Sequence, residues 1–174
     1  MQVHSGKYRR RKLAFPQNPA VRPTKQIVRE SVFNILQPYI EGASFLDLCA
    51  GVGSMGIEAL SRGASRAVFV DKDVSYVERN LQFVEDDYAV FRGTADQFFS
   101  RLKERFDIIY FDPPWNDRDL YQKSLKRIFD FDILKAQGFL VCEYRASLSD
   151  LLDDLPCAYK TYSYGRSAIA VFRT

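Results

Sequence analysis

An apolar run from Phe45 to Leu48 gives way to glycines at positions 51, 53 and 56, and the helical pattern Ile57-Glu-Ala-Leu-Ser-Arg62 follows at once. Glycine accepts the positive φ and close backbone approach that such a tight turn demands, and the helix start behind it offers unpaired N–H groups. The segment is therefore a strand, a turn that a ligand can approach, and a helix. That is the opening of a βαβ unit, which needs a parallel sheet with helical crossovers.

The rest of the chain keeps the same rhythm. Short apolar runs predict strands near 44–49, 67–71, 88–92, 106–112, 138–145, 157–164 and 167–173. Helical periodicity predicts helices near 54–62, 74–85, 95–104, 119–130 and 147–154. An earlier helix runs from an N-cap at Thr24 to Tyr39, with Val28, Val32, Ile35, Leu36 and Tyr39 as its apolar stripe. Strand and helix in alternation imply a seven-stranded, mostly parallel sheet with helices on both faces. The last two runs, separated only by Gly165-Arg166, should form an antiparallel hairpin. The 174 residues suit a single α/β domain, with residues 1–23 as a basic N-terminal extension and 24–174 as the body. Val3 to Phe15 alternates weakly around Gly6 and is expected to form a short hairpin, followed by an extended loop over Gln17-Asn-Pro-Ala-Val-Arg-Pro23.

Composition narrows the chemistry. Hydrophobic residues at 47% and charged residues at 27% are those of a soluble globular chain. No apolar stretch is long enough to span a bilayer and the basic N-terminus lacks a signal peptide's apolar core, so the cytoplasm is the expected location. Cys49, Cys142 and Cys157 lack metal-ligand spacing and lie in apolar runs, as buried reduced thiols do. With His4 the only histidine, neither a metal centre nor a Ser-His-Asp system is expected, and the chemistry falls to carboxylates, backbone and a cofactor. The net charge of +3 hides an asymmetry: residues 1–40 carry eight basic side chains against Glu30 alone, a balance of +7 that leaves −4 for the remainder. Lys7, Arg9, Arg10, Arg11, Lys12 and Arg22, interleaved with Tyr8, Phe15 and an Arg-Pro pair, fit a nucleic-acid partner better than a solvated tail.

In α/β sheets ligands bind at the carboxyl ends of the strands, where Asp47, Asp71, Thr94 and Asp112 all fall. Glycine spacing with an acid such as Asp71 about 20 residues on also suits a nicotinamide dinucleotide. Two features favour S-adenosylmethionine. Asp47 stands just before the glycines, where it would repel a pyrophosphate and attract a sulfonium or ammonium. The corner Asp112-Pro113-Pro114-Trp115, which ends the run Phe106-Asp-Ile-Ile-Tyr-Phe111, has no evident use in hydride transfer. Two prolines make a stiff turn that offers carbonyls and no N–H donors. An exocyclic amine on a planar base needs two acceptors; the Asp112 carboxylate and the Pro113 carbonyl supply them, and Trp115 can stack on the ring.

Taken together these segments resemble the bacterial guanine-N2 methyltransferases that modify small-subunit ribosomal RNA, the RsmD type. The similarity covers nearly the whole chain and is carried by Gly6-Lys-Tyr-Arg-Arg-Arg-Lys-Leu13, Arg22-Pro-Thr24, Val28-Arg-Glu-Ser-Val-Phe-Asn34, Asp47-Leu-Cys-Ala-Gly-Val-Gly53, Gly56-Ile-Glu-Ala-Leu-Ser-Arg-Gly-Ala64 and Asp112-Pro-Pro-Trp115. It implies the Rossmann-like class I S-adenosylmethionine-dependent methyltransferase fold. It also implies methylation of the N2 amine of a guanine in 16S ribosomal RNA within a small-subunit particle; a monomer without metal is expected. On this resemblance Asp112, Pro113, Pro114 and Trp115 hold the acceptor, and Thr24, Asp47, Ala50, Gly51, Gly53, Asp71, Lys72, Thr94 and Ala95 hold the donor. The RNA contacts fall to Lys7, Arg9, Arg10, Arg11, Lys12 and Arg22. The chain departs from the family pattern in three places. Its loop reads Gly-Val-Gly-Ser-Met-Gly where relatives tend to carry Ser or Thr and Ala. Thr94 replaces an Asp or Asn near adenine, which shifts that contact toward the Ala95 backbone, with Asp96 adjacent. Trp115 replaces the commoner Phe or Tyr and keeps a stacking surface. Three other readings stay open: an adenine-N6 or cytosine-N4 methyltransferase using the same corner, a nicotinamide oxidoreductase using the glycine loop, and a non-catalytic RNA-binding module using the basic extension.

Overall fold

The computed structural model describes residues 1–16, 26–102, 104–115, 117–130, 132–152 and 158–174. In chain order these form α1 (Gln26–Leu36), β1 (Ser44–Leu48), α2 (Ser54–Ser61), β2 (Arg66–Asp71), α3 (Ser75–Asn80), β3 (Asp87–Arg92), α4 (Ala95–Phe99), β4 (Phe106–Phe111), α5 (Arg118–Asp130), β5 (Leu134–Arg145), β6 (Tyr159–Tyr164) and β7 (Ser167–Arg173). One sheet takes the order β3-β2-β1-β4-β5-β7-β6. Pairing is parallel from β3 across to β5 and antiparallel at β7 and β6. The expected seven-stranded sheet and its C-terminal hairpin are both present.

Alternation along each strand builds two separate cores. Phe45, Ala67, Phe69, Ile108 and Tyr110 face one way, onto Val28, Val32, Phe33 and Leu36 of α1, Ile57 and Leu60 of α2, and Val77 of α3. Leu46, Leu48, Val68, Val70, Ile109 and Phe111 face the other way, onto Phe98 and Phe99 of α4 and Tyr121, Leu125 and Ile128 of α5. Strands covered on both sides read as the continuous apolar runs seen in the sequence. Leu48 pairs with both Val70 and Phe111, so the next residues, Cys49, Asp71 and Asp112, reach one edge of the sheet together. The chain leaves β1 for β2 on one side and returns to β4 on the other. A crevice therefore opens at the carboxyl ends where the order reverses.

Four elements differ from expectation. The hairpin expected over Val3 to Phe15 reduces to one antiparallel bridge, Gln2 to Lys12. The Val3 and Leu13 amides close the bridge on the Arg11 and Met1 carbonyls (3.0 and 3.1 Å), but the donors between turn outward: the His4 and Ser5 amides donate to the Glu58 carboxylate (2.8 and 3.1 Å), the Lys7 amide to the Ser61 carbonyl (2.8 Å) and the Tyr8 amide to Ser61 Oγ (2.9 Å). The segment is docked on α2, and Val3, Tyr8 and Leu13 join the core. The helices expected over 74–85 and 95–104 stop at Asn80 and Phe99 and tighten into 3-10 turns, with the Leu102 amide, for example, donating to the Phe99 carbonyl (3.4 Å). The helix expected over 147–154 is a 3-10 stretch at Ala146–Leu152. Thr24, Arg22 and Cys157 lie outside the described residues. Among the described residues no helix is long and apolar enough to cross a membrane, and no group of His, Cys, Asp and Glu could hold a metal ion.

Candidate active site

The turn after β1 is held by three other elements. Cys49, Gly51 and Gly53 all take positive φ (69°, 57° and 78°), and the Cys49 and Ala50 amides both donate to the Val70 carbonyl (2.9 and 3.0 Å). Gly53 caps α2 in the left-handed conformation. Gly56 is required for packing: a Cβ there would stand 2.3 Å from the Phe69 ring. The Asp47 carboxylate accepts from the Gly56 amide (2.9 Å). Asp71 at the end of β2 accepts from the Gly51 amide (2.8 Å) through one oxygen and from the Asp73 amide (3.0 Å) through the other. Asn80, at the end of α3, donates to the Val52 carbonyl (3.0 Å).

Asp47 is only 2% exposed. Burial pushes its carboxyl up to about 8, against the pull of the Gly56 amide, and so favours the neutral form. The sequence reading cast it as a negative charge at the strand end, felt by the donor. The structure places it beneath the turn, where it fastens Gly56.

A cavity of about 290 Å³ opens beside the turn. Cys49, Val70, Asp71 and Lys72 line it from β1 and β2, Gly93, Thr94, Ala95 and Asp96 from the β3 to α4 junction, and Pro114, Asp117, Asp119, Leu120 and Lys123 from the approach to α5. Of the nominated residues it gathers Asp71, Lys72, Thr94, Ala95 and Pro114. Asp47, Ala50, Gly51, Gly53, Asp112, Pro113 and Trp115 stand outside its lining. The Thr94 hydroxyl is committed to capping α4: it accepts from the Gln97 amide (3.2 Å) while Gln97 Oε1 accepts from the Thr94 amide (2.9 Å). Sequence reasoning missed the α5 wall. Asp117, whose carboxylate accepts from the Leu120 amide (2.9 Å) at the helix start, could have been found as an N-cap three residues beyond the proline pair. Cys49 was expected as a buried thiol and instead borders the cavity half-buried; burial, then Asp71 and Asp112, push it up and keep it a thiol.

After β4 the Asp112 amide donates to the Leu48 carbonyl (3.3 Å), which joins the proline corner to the last residue of β1. Pro113 is buried. The Tyr121 hydroxyl has one proton and two carbonyls in reach, Glu143 at 2.8 Å and Pro113 at 3.4 Å. The shorter contact takes it, which leaves the Pro113 carbonyl as an acceptor. Pro114 is exposed at the cavity, its carbonyl accepting from the Asp117 amide (3.0 Å), and Trp115 is half-buried against the core of the α4 and α5 face. Next to Asp112 across the sheet, Glu143 is buried and accepts from the Tyr110 hydroxyl (2.7 Å).

A mostly parallel sheet in this order, with a glycine turn after its first strand and an acceptor-rich corner after its fourth, defines a Rossmann-like methyltransferase fold. The family described as "Conserved hypothetical protein 95" matches residues 1–173. Ribosomal RNA small subunit methyltransferase D of Escherichia coli (strain K12) is 31% identical over 174 residues, covering 98% of this chain and 85% of that one. YlbH of Bacillus subtilis (strain 168) is 35% identical over 184 residues, covering 99% and 98%. The solved structure of yhhF from Escherichia coli superposes with a TM-score of 0.87 at 28% identity over 99% of this chain and 97% of that one. The chain belongs to this family, the RsmD type.

Proposed function

We propose that this protein transfers a methyl group from S-adenosylmethionine to the N2 amine of a guanine in small-subunit ribosomal RNA. The observation that carries the reading is the Asp112 amide bonded to the Leu48 carbonyl at 3.3 Å, which sets the amine-accepting corner beside the strand that enters the glycine turn. Donor and acceptor sites that share one sheet edge suit direct in-line transfer.

The residues at the cavity fit the donor. The Gly51 backbone is open, with nothing within 4 Å of where a Cβ would stand, and can take the methionine end. Asp71, half-buried at the cavity wall, accepts from the ribose hydroxyls, while Val70, Ala95 and Leu120 offer apolar walls to the adenine. When bound, the donor supplies an electrophilic methyl on a sulfonium. Asp112 and Pro113 then accept the two amine hydrogens and turn the N2 lone pair out of conjugation, and Trp115 stacks on the ring. The base is extruded from the RNA to reach them, as enzymes acting on base edges require. Positioning and exclusion of water, more than acid–base catalysis, supply the acceleration. The reading places a metal-free monomer in the cytoplasm with ribosomal RNA as its partner.

The test is incubation with labelled S-adenosylmethionine and unmodified small-subunit particles, followed by digestion to nucleosides. Label in N2-methylguanosine is the expected result. Label in N6-methyladenosine or N4-methylcytidine would assign a different base, and no label with tight NADH binding would overturn the methyltransferase reading.

A further inference from the structure

Asn80 is 3% exposed and uses its whole side-chain amide on two segments far apart in sequence. Its Nδ2 donates to the Val52 carbonyl (3.0 Å) and to the Ala14 carbonyl (3.0 Å), and its Oδ1 accepts from the Ala14 amide (2.7 Å). Val52 is the middle residue of the Gly51-Val52-Gly53 turn. Ala14 ends the docked N-terminal segment that carries the exposed Arg9, Arg10, Arg11 and Lys12. Of the three side chains that hold the turn, Asp47 and Asp71 reach no residue of that segment; Asn80 does.

We propose that Asn80 is a positioning residue that makes docking of the N-terminal segment a condition for the donor-binding geometry of the glycine turn. The physical ground is the cost of a buried polar group left unpaired. If residues 1–14 undock, the Asn80 amide loses two of its three partners and the Val52 carbonyl is held by a side chain no longer fixed from the other side. The segment and the turn are then one hydrogen-bonded unit, and anything that favours the docked segment favours the formed turn, and the reverse. Asn80 does not touch the reacting atoms. Its effect passes through Val52.

The proposal rests on the donor reading of the turn, and the experiment keeps the two apart. Full-length wild type, Asn80→Ala, Ala14→Pro and their double variant are titrated with S-adenosylhomocysteine, with Leu81→Ala, buried beside Asn80, as a control for loss of packing. Ala14→Pro removes the amide that donates to Asn80 and sets a ring carbon against Asn80 Oδ1, breaking the contact from the segment's side, and it lies outside the cavity lining. Asn80→Ala is expected to weaken binding about ten-fold, the scale of one buried hydrogen bond, Ala14→Pro severalfold, and the double variant no more than Asn80→Ala alone. Unchanged affinity in Ala14→Pro, additive effects, or an equal loss in Leu81→Ala would overturn the coupling. Should wild type fail to bind S-adenosylhomocysteine, the donor reading falls. Amide hydrogen exchange of the same proteins at Gly51 and Gly53 then decides the coupling: faster exchange in Ala14→Pro upholds it and unchanged exchange overturns it.

Discussion

Asp71, Asp112 and Asp47 are three carboxylates at one sheet edge, and their surroundings give them different work. In the proposed mechanism Asp112 faces the acceptor, so Asp112→Ala should lower kcat while leaving the dissociation constant of S-adenosylhomocysteine within a few-fold. A hydrogen bond to a charged group is worth roughly 1.5–3 kcal/mol, about one to two decades in rate, and the loss should exceed that because the amine is also disoriented; near-normal turnover would sink the mechanism. Asp71→Ala should act on the donor instead. The variant loses the partner of the Gly51 amide and, on the proposed reading, the ribose acceptor, and its donor affinity should fall by about ten- to hundred-fold. An unchanged affinity in calorimetry would move the ribose site elsewhere. Asp47 makes a prediction about stability. Its carboxyl rises on folding from the ordinary carboxylate range to about 8, so between those values the folded state holds a proton that the unfolded state has released. The unfolded state then binds fewer protons, and the group's contribution falls as pH rises, by at most about 1.4 kcal/mol per pH unit. Asp47→Asn keeps an oxygen for the Gly56 amide without the proton. Urea midpoints measured from pH 5 to pH 8 should therefore fall in wild type relative to the variant, and parallel curves would remove the case for a neutral Asp47.

At the scale of elements, the glycine turn and α4 show how local chemistry sets the site. Gly56→Ala should destabilise the fold by about 1–3 kcal/mol through overpacking, because its methyl would press on the Phe69 ring, which fills the space between α2 and β2. Thr94→Ala removes the α4 cap and should cost about 1 kcal/mol, with a weaker effect on donor affinity, since the hydroxyl is turned into the helix; a donor loss as large as that of Asp71→Ala would show that the hydroxyl contacts the ligand directly. The strands were readable because β1, β2 and β4 are covered on both faces and so are mostly apolar. The glycine turn was readable because its φ values demand glycine at Gly51 and Gly53. Other features depend on tertiary partners that no local pattern encodes. Alternation in Val3 to Phe15 pointed to the short antiparallel pairing that forms between Gln2 and Lys12, but nothing in it says that the intervening amides will find Glu58 and Ser61. Nothing around Asp47 announces that its carboxylate turns under the strand end toward Gly56, or that Asp117, Leu120 and Lys123 will come round to face Asp71 across the cavity.

At the scale of the whole molecule, the basic turn and the cavity sit at opposite ends of the sheet. α2 leaves the glycine turn and runs back to Ser61, whose carbonyl accepts from the Lys7 amide, and Lys7 Nζ pairs with Asp86 (3.3 Å), the residue just before β3 begins. Tyr8 bonds through its hydroxyl to the same Asp86. The turn therefore marks the amino end of the sheet and the cavity the carboxyl end, so any RNA contact made by the turn is with phosphates remote from the base being modified. Lys7 is already paired with Asp86 and Glu85, whereas Arg9, Arg10 and Lys12 are exposed. Each arginine that meets a phosphate should contribute roughly 0.7–0.9 to the slope of log K against log salt, and none should influence which base is chosen. Replacing Arg9, Arg10 and Arg11 by glutamine should thus weaken RNA binding severalfold at low salt and flatten the slope by up to about 2–3 units. Lys7→Gln should do less, since it gives up an internal ion pair along with any phosphate contact. S-adenosylhomocysteine affinity should not change in either variant, because neither touches Asn80 or Ala14 and the segment stays docked. RNA affinities measured across a salt series decide the matter. Equal affinities and parallel slopes for wild type and the triple variant would free the turn of any RNA role, and the phosphate contacts would then have to be sought at the carboxyl edge, around Arg118 and Arg145.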